Sequence, residues 1–382
     1  MALKIAQRGL IDPFIVMDVM RAANELAAAG EDVLHLEVGQ PGTPAPQQVI
    51  AAAHNALQDE LLGYTDSMGL PELRQRIAQH YSSVYDVAVD PARVVVTTGS
   101  SGGFLLAFLS AFEAGDRVAL AAPGYPAYRN ILTALGVEPI LLETTAAERF
   151  QPTPRLLRAA GGNLDGLIVA SPSNPTGTMV GSKELEALVA WCRSTGVRLI
   201  SDEIYHGITY GSPAVTAAGL DDDAIVINSF SKYFSMTGWR LGWMVVPEPL
   251  LRPIECLTQN LFISPPSLSQ HAGIAAFDSG DELAGNVARY ARNREILLDR
   301  LPKAGFDRLA PADGAFYIYA DIAQMTNDSP EFCRRMLAEA YVAATPGVDF
   351  DPFSGHKFVR FSFAGTEDDM MAACQRLADW RR

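Results

Sequence analysis

Between residues 93 and 246, short apolar runs alternate with helical stretches. Several of the runs are nearly continuous in Val, Ile and Leu, as is typical of strands that helices cover on both faces. The alternation predicts an α/β domain in which a mostly parallel sheet lies between helices. The predicted strands are Arg93–Thr97, Arg117–Ala121, Glu138–Leu142, Gly166–Ala170, Arg198–Ser201, Ala224–Ser229 and Leu241–Val246.

The N-terminal part of the chain has a different pattern. Apolar positions over residues 13–29 predict a helix, and Gly30 suits its C-terminal end. Residues 34–38 alternate between apolar and polar positions like an edge strand. Two further helices are predicted near residues 46–60 and 70–84.

The C-terminal third predicts a smaller α+β unit. A helical stretch over residues 267–304 is followed by strand candidates at 315–320 and 357–363, with helices between and after them. We expect the N-terminal arm to join this unit. The predicted domains are a large domain over residues 45–280 and a small domain formed by residues 1–44 and 281–382.

Composition narrows the possible partners. The formal net charge is −14, which argues against nucleic acids and anionic membranes because both require clustered Lys and Arg. The four cysteines form no C-x-x-C pair or zinc motif, and no secretory signal is recognised, so we expect a cytoplasmic protein without a metal site. The uncharged run over residues 94–112 contains Thr-Thr-Gly-Ser-Ser-Gly-Gly, and we interpret it as strand, turn and helix instead of a membrane span.

A lysine follows the strand 224–229 directly. Lysines are seldom buried without a function, and burial can lower the pKa of Lys232 until its amine is nucleophilic enough for a Schiff base. The hydroxyls of Ser229 and Ser231 and the guanidinium of Arg240 would suit a phosphate. A solvated loop lysine is the simpler interpretation of this feature taken alone.

Two more strand ends carry polar groups. Asp202 and Tyr205 follow strand 198–201, at the edge where open α/β sheets bind ligands, although an aspartate helix cap with a packed tyrosine would explain them equally well. Gly99, Ser100 and Ser101 lie between a strand and an apolar helix, whose free N–H groups favour a phosphate.

Tyr125 and Asn174 follow two other strands, where each could serve packing or a turn. The carboxyl ends of parallel strands meet at one edge of a sheet, so all these groups are expected to converge. Together they supply a phosphate cradle, a partner for a ring nitrogen, donors for a ring oxygen and an amine. This is the set that pyridoxal 5'-phosphate requires.

The sequence resembles fold-type-I pyridoxal-phosphate enzymes of the class I/II (aspartate-aminotransferase-like) aminotransferases. The motifs from Gly39 to Arg360 occur in the family's order, with Ser-Asn-Pro-Thr-Gly at residues 173–177 and a spacing of eight between Lys232 and Arg240. The resemblance implies a ping-pong transfer of an amino group from an L-amino acid to a 2-oxo acid through a Schiff base on Lys232.

The resemblance also implies a role for each matching residue. Asp202 would pair with the ring nitrogen, Tyr205 and Asn174 would hydrogen-bond the ring oxygen, and Tyr125 would stack on the ring. Arg360, with Gly39 and Asn174, would bind the substrate's α-carboxylate. Tyr64 would reach the phosphate of a neighbouring subunit, which implies a homodimer. The phosphate would be held by Gly99, Ser100, Ser101, Ser229, Ser231 and Arg240.

Other functions stay open at this point. A β-lyase (C–S lyase) or a cyclopropane-forming synthase would use most of the same cofactor motifs, and a cofactor-binding regulator is a further alternative. Gln259 and Asn260 stand where dicarboxylate-specific relatives carry an arginine ahead of the Pro-Pro turn. This difference, with an apolar segment at Phe14, Ile15 and Val16, favours a substrate with a neutral or aromatic side chain.

Overall fold

The computed structural model describes residues 3–380. Its helices are α1 (Ile15–Ala28), α2 (Gln47–Asp59), α3 (Pro71–Tyr85), α4 (Gly99–Ala111), α5 (Pro126–Leu135), α6 (Pro154–Ala159), α7 (Ser182–Thr195), α8 (Glu248–Leu261), α9 (Ser267–Ala276), α10 (Gly280–Arg300), α11 (Ser329–Ala340) and α12 (Glu367–Trp380). Its strands are β1 (Leu34–His35), β2 (Val94–Thr97), β3 (Arg117–Ala122), β4 (Glu138–Glu143), β5 (Gly166–Ala170), β6 (Arg198–Asp202), β7 (Ile225–Ser229), β8 (Gly242–Val245), β9 (Arg308–Leu309), β10 (Tyr317–Asp321), β11 (Val342–Ala343), β12 (Thr345–Pro346) and β13 (Phe358–Ser362).

Seven strands form the central sheet in the order β2-β8-β7-β6-β5-β3-β4. The five strands from β3 to β7 pair in parallel, and β8 runs antiparallel to its neighbours β2 and β7. The prediction of a mostly parallel sheet between helices is therefore confirmed. Each predicted strand of this sheet matches an observed strand, with ends that differ by at most one residue.

The two faces of the central sheet belong to separate hydrophobic clusters. In β5, Leu167 and Val169 pack in one cluster, whereas Ile168 packs in the other, because successive side chains of a strand point to opposite faces. Helices α2, α3, α7 and α9 cover one face, and α4, α5 and α8 cover the other. The strand ends are thus the part of the sheet left free for polar groups.

A second, four-stranded antiparallel sheet has the order β12-β13-β10-β9 and belongs to a further cluster built from the C-terminal third. The N-terminal arm packs here. Ala23 of α1 packs in one hydrophobic cluster with Leu337 and Ala343, and β1 pairs in parallel with β11. These contacts are those of an α+β unit, as expected, while the domain limits at residues 44 and 280 stay a prediction.

Three sequence expectations differ in detail from the structure. The edge strand expected over residues 34–38 is only two residues long. The helical stretch 267–304 is divided between α9 and α10, because Ser279 departs from helical geometry and Asp281 and Glu282 favour a new helix N-terminus. Strand β10 begins later than predicted, since Ala315 has a φ of 56°. Over residues 3–380, every helix is too short or too polar to cross a lipid bilayer.

Candidate active site

A cavity of about 210 Å³ lies at the carboxyl edge of the central sheet and reaches β13. All but three of the predicted site residues line it. The lining includes Gly39, Ser100, Ser101, Tyr125, Asn174, Asp202, Tyr205, Ser231, Lys232, Arg240 and Arg360. The convergence follows from the topology, because the loops after β3, β5, β6 and β7 all leave the sheet at this edge.

Lys232 lies three residues beyond the end of β7, and its Nζ donates to the carbonyl oxygen of Gly39 at 2.6 Å. Burial lowers the pKa of Lys232 to about 8, with the positive charges of Arg360 and Arg240 acting in the same direction and Asp202 opposing them. An amine with this pKa is partly neutral near pH 8 and therefore nucleophilic.

The lowered pKa of Lys232 has a consequence for stability. The fall of its pKa from 10.5 to about 8 means that the charged amine destabilises the folded protein by about 3 kcal/mol, at about 1.4 kcal/mol per pKa unit. The folded pKa lies below the unfolded one, so this destabilisation is complete below pH 8 and disappears as the pH rises towards 10.5. After allowance of about 1 kcal/mol for the lost hydrogen bond, we expect Lys232→Met to stabilise the cofactor-free protein by about 2 kcal/mol at pH 7.

Denaturant unfolding of the cofactor-free wild type and Lys232→Met, at pH 7 and at pH 10, checks this expectation. The difference in unfolding free energy should shrink at the higher pH. A variant that is less stable than wild type at pH 7, or a difference independent of pH, would contradict the account.

Asp202 ends β6, with 3% of its surface exposed. Its carboxylate accepts hydrogen bonds from the Tyr128 hydroxyl and, at 3.1 Å, from the N–H of Ile204. Burial raises the pKa of Asp202 to about 6, against the effect of both hydrogen bonds and of Lys232. The group is therefore ionised at neutral pH and suits a protonated ring nitrogen. Tyr128 was not expected here. It lies in the first turn of α5, and its ring meets that of Tyr125, which precedes the helix, edge-on at 5.3 Å.

Tyr205 and Tyr317 meet over the cavity, with 2.7 Å between their hydroxyl oxygens. Burial raises the pKa of Tyr205 well above its ordinary value, with the Tyr317 hydroxyl as the next cause, so the phenol stays protonated. A β-carbon at Gly39 would overlap the Tyr317 hydroxyl, which explains the glycine. The sequence presents Tyr317 only as a strand residue, because its contacts come from three distant segments.

Arg360 of β13 is 2% exposed and enters the cavity from the second sheet. Its Nη1 donates to Asn174 Oδ1 at 2.8 Å, and its Nη2 donates to the carbonyl oxygen of Glu37. The guanidinium lies 4.5 Å from the ring centre of Tyr317 and 4.7 Å from that of Phe350. Its Nε has no partner among the described residues. A fixed, buried guanidinium with a free donor suits a carboxylate.

The guanidinium of Arg240 lies beside the N-terminus of α4 and close to hydroxyl groups. Ser231 Oγ lies 3.5 Å from Arg240 Nη1 and 2.9 Å from Ser229 Oγ. Gly99 has a φ of +66°, and a β-carbon there would overlap the Arg240 guanidinium. Ser229 and Gly99 therefore stand behind the cavity wall and support Ser231 and Arg240. The cluster combines a cation, hydroxyls and a helix N-terminus, as an oxyanion requires.

Two tyrosines remain from the predicted set. Tyr125 lines the cavity, and the ring of Phe14 meets it edge-on at 5.7 Å. Tyr64 does not line the cavity of its own chain and is 82% exposed. Its predicted role towards a neighbouring subunit stays a prediction.

Residues 31–377 match the family described as aminotransferase class I and II. This chain belongs to that family. The family is pyridoxal-phosphate-dependent, and the chain is an aminotransferase of the aspartate-aminotransferase-like fold. The match spans both sheets and every side chain of the cavity that the resemblance singles out.

Full-length relatives agree with the aminotransferase assignment. The chain is 51% identical over 381 residues to the valine–pyruvate aminotransferase of Mycobacterium tuberculosis, covering 99% of this chain and 98% of that protein. The crystal structure of an aminotransferase from the same organism matches with a TM-score of 0.98 at 51% identity, covering 99% of both chains. Aspartate aminotransferase from Thermus thermophilus with maleate matches with a TM-score of 0.93 at 28% identity, covering 99% of this chain and 100% of that one.

The cavity of this aminotransferase fits the family's cofactor by its own chemistry. Because Gly99 has no side chain, the Arg240 guanidinium lies directly against the backbone at the N-terminus of α4, so a cation and a helix N-terminus lie together where a phosphate would bind. The carboxylate of Asp202 is buried without a salt bridge within 4 Å among the described residues, as a partner for a cationic ring nitrogen should be. Lys232 supplies the amine.

Proposed function

We propose that this aminotransferase binds pyridoxal 5'-phosphate through Lys232 and transfers amino groups from a neutral L-amino acid to a 2-oxo acid in a ping-pong cycle. The convergence of Lys232, Asp202 and Arg360 on one cavity carries the proposal. Lys232 supplies the amine, Asp202 can pair with a cationic ring nitrogen, and Arg360 can bind the carboxylate of the substrate.

The chain's own residues would hold the cofactor at both ends. Ser100, Ser101, Ser231 and Arg240 would bind the phosphate, with Gly99 and Ser229 behind them. Tyr205 and Asn174 would donate to the ring oxygen, and Tyr125 would stack on the ring. Bound pyridoxal phosphate supplies an electron sink for the negative charge that develops at the substrate's α-carbon.

Proton transfer falls to Lys232. Once its Nζ is free, the amine, whose pKa burial lowers, can accept the proton from the substrate's α-carbon and return it at the neighbouring position as general base and acid. Asp202 keeps the ring nitrogen protonated through charge pairing in a buried setting. Arg360 holds the α-carboxylate and so fixes which α-substituent faces Lys232.

The substrate's side chain meets apolar groups. Phe14, Val16, Met17 and Ile131 line the cavity, and its lining cations, Lys232, Arg240 and Arg360, already have roles in the proposal. No further cation of the described residues lines it to receive a second carboxylate. We therefore propose an aliphatic amino acid such as L-valine with pyruvate as acceptor. The name of the relative from M. tuberculosis supports this choice.

We also propose a cytoplasmic homodimer with two shared sites. Tyr64 and Leu61 are strongly exposed in the single chain, so a second copy could cover them and receive the Tyr64 hydroxyl. The four cysteines are free, which agrees with a reducing compartment.

Half-reactions on the cofactor-loaded protein test the proposed transfer. We expect L-valine alone to change the cofactor's visible absorbance and yield one equivalent of the 2-oxo acid, and pyruvate then to restore the spectrum and yield L-alanine. L-aspartate should act at least ~10-fold less efficiently, because its second carboxylate would enter an apolar wall without a partner. Lys232→Ala serves as the inactive control.

Two outcomes would count against this function. Continuous release of ammonia from one amino acid without any acceptor would select the lyase instead. Binding of the cofactor without reaction of any amino acid in a broad panel would favour a binding role.

A further inference from the structure

The first turn of α1 has no capping side chain of its own. Phe14 occupies the position before the helix and makes no side-chain hydrogen bond to it, although the first N–H groups of any helix lack partners within it. Asp349, which follows Val16 by 333 residues in the chain, fills this role. Its Oδ1 accepts from the N–H of Ile15 at 3.1 Å and its Oδ2 accepts from the N–H of Val16 at 3.3 Å. The negative charge is also favourable at a helix N-terminus.

Asp349 is itself fixed on other sides. It is 1% exposed, and Arg129 of α5 donates to its carbonyl oxygen at 2.9 Å. The carbonyl oxygen of Phe350 accepts from the N–H of Gly124 at 3.0 Å, and the Phe350 ring faces the guanidinium of Arg360. The segment 349–350 therefore joins α1 to the loop before α5 and to β13.

The helix turn that Asp349 caps forms one side of the cavity. Phe14, Val16 and Met17 line the cavity, and we call these three residues the α1 wall. The ring of Phe14 meets Tyr125 edge-on. Because the sequence around Phe14 supplies no cap, the placement of the α1 wall depends on the distant carboxylate.

We propose that Asp349 is a positioning residue that holds the α1 wall against the substrate's side chain and thereby sets the preference for amino acids with larger apolar side chains. The proposal rests on the proposed function, since it requires a substrate side chain that faces this wall. Asp349 does not line the cavity, so it acts through the backbone of α1.

Steady-state kinetics of Asp349→Ala and Asp349→Asn, with L-valine and with L-alanine in the reverse direction, test the proposal. We expect Asp349→Ala to raise KM for L-valine about 3- to 30-fold, as the loss of a helix cap predicts, and KM for L-alanine less than about twofold. The turnover number should change less than about threefold for both. Asp349→Asn should lie between, because an amide keeps one acceptor oxygen of the two.

Asp328→Ala is the matched control. Asp328 caps α11 by accepting from the N–H of Glu331 at 3.1 Å, and α11 contributes no residue to the cavity. Its loss should lower thermal stability to a similar degree without changing the ratio of the two KM values. If Asp349→Ala acted only by changing the charge near Arg360, it would also leave the ratio of the two KM values unchanged, since both substrates share the α-carboxylate.

Hydrogen exchange gives a readout independent of activity. The amides of Ile15 and Val16 should exchange faster in Asp349→Ala than in wild type, and at the wild-type rate in Asp328→Ala. Unchanged exchange at α1, or an unchanged KM ratio in both Asp349 variants, would overturn the proposal for Asp349 alone. Failure of the wild type to convert L-valine would overturn the proposed function and, with it, the specificity role.

Discussion

Lys232→Ala is expected to lower the rate of amino transfer by at least ~10⁴-fold, because one side chain supplies both the attachment amine and the proton-transfer group. The measurement is the rate of the half-reaction with L-valine, followed in single turnover so that product release does not mask the loss. A small amine such as methylamine, which can enter the space left by the side chain, should restore part of the rate.

Lys303→Ala is the matched control, since Lys303 is an exposed lysine paired with Asp299 on α10. It should retain wild-type rates. A Lys232→Ala variant that keeps more than about a tenth of the activity would refute the assignment of Lys232 to the chemical step.

Arg360→Lys is expected to lower kcat/KM for L-valine by about 30-fold or more. A lysine keeps the positive charge but loses the planar pair of donors, and truncation of one partner in a buried charge pair typically costs about 2–5 kcal/mol. Asn174 Oδ1 and the Glu37 carbonyl oxygen also lose the donors that they have in the wild type. The loss should therefore appear in kcat as well as in KM.

A substrate analogue with the amine but no carboxylate distinguishes a loss of carboxylate recognition from misfolding of the variant. Wild type should prefer L-valine strongly over isobutylamine, whereas Arg360→Lys should discriminate between them much less. Arg308→Lys, at a partly exposed position on β9, is the control. If Arg360→Lys retains the full preference for L-valine, the α-carboxylate is bound elsewhere.

The strands were predictable because burial on both faces leaves a continuous apolar signal. Gly166–Ala170 was predicted with its observed ends, since the four residues at 166–169 are all buried. The position of Asp202, Asn174 and Lys232 in one cavity followed from topology alone, because parallel strands bring their carboxyl ends together.

Contacts between distant segments were not predictable. The hydrogen bond from Tyr128 to Asp202 joins helix α5 to the end of β6, and the pair Tyr205 and Tyr317 joins the loop after β6 to β10 of the second sheet. The Asp349 cap of α1 is the extreme case, because the residues lie at opposite ends of the chain and neither local sequence marks the contact.

The antiparallel strand β8 bears on how the aminotransferase could move. Ser229 of β7 pairs with Gly242 of β8, so the segment between them is closed by hydrogen bonds at its base. Lys232 and Arg240 both belong to this closed segment, whereas Arg360 and the α1 wall belong to the other sheet and the N-terminal arm. On the proposed function, a hinge motion of the small unit would move the substrate contacts of Arg360 and the α1 wall relative to Lys232 and Arg240, which the paired strands β7 and β8 hold together. The cofactor would keep its position during this motion, and only the contacts to the amino acid would change.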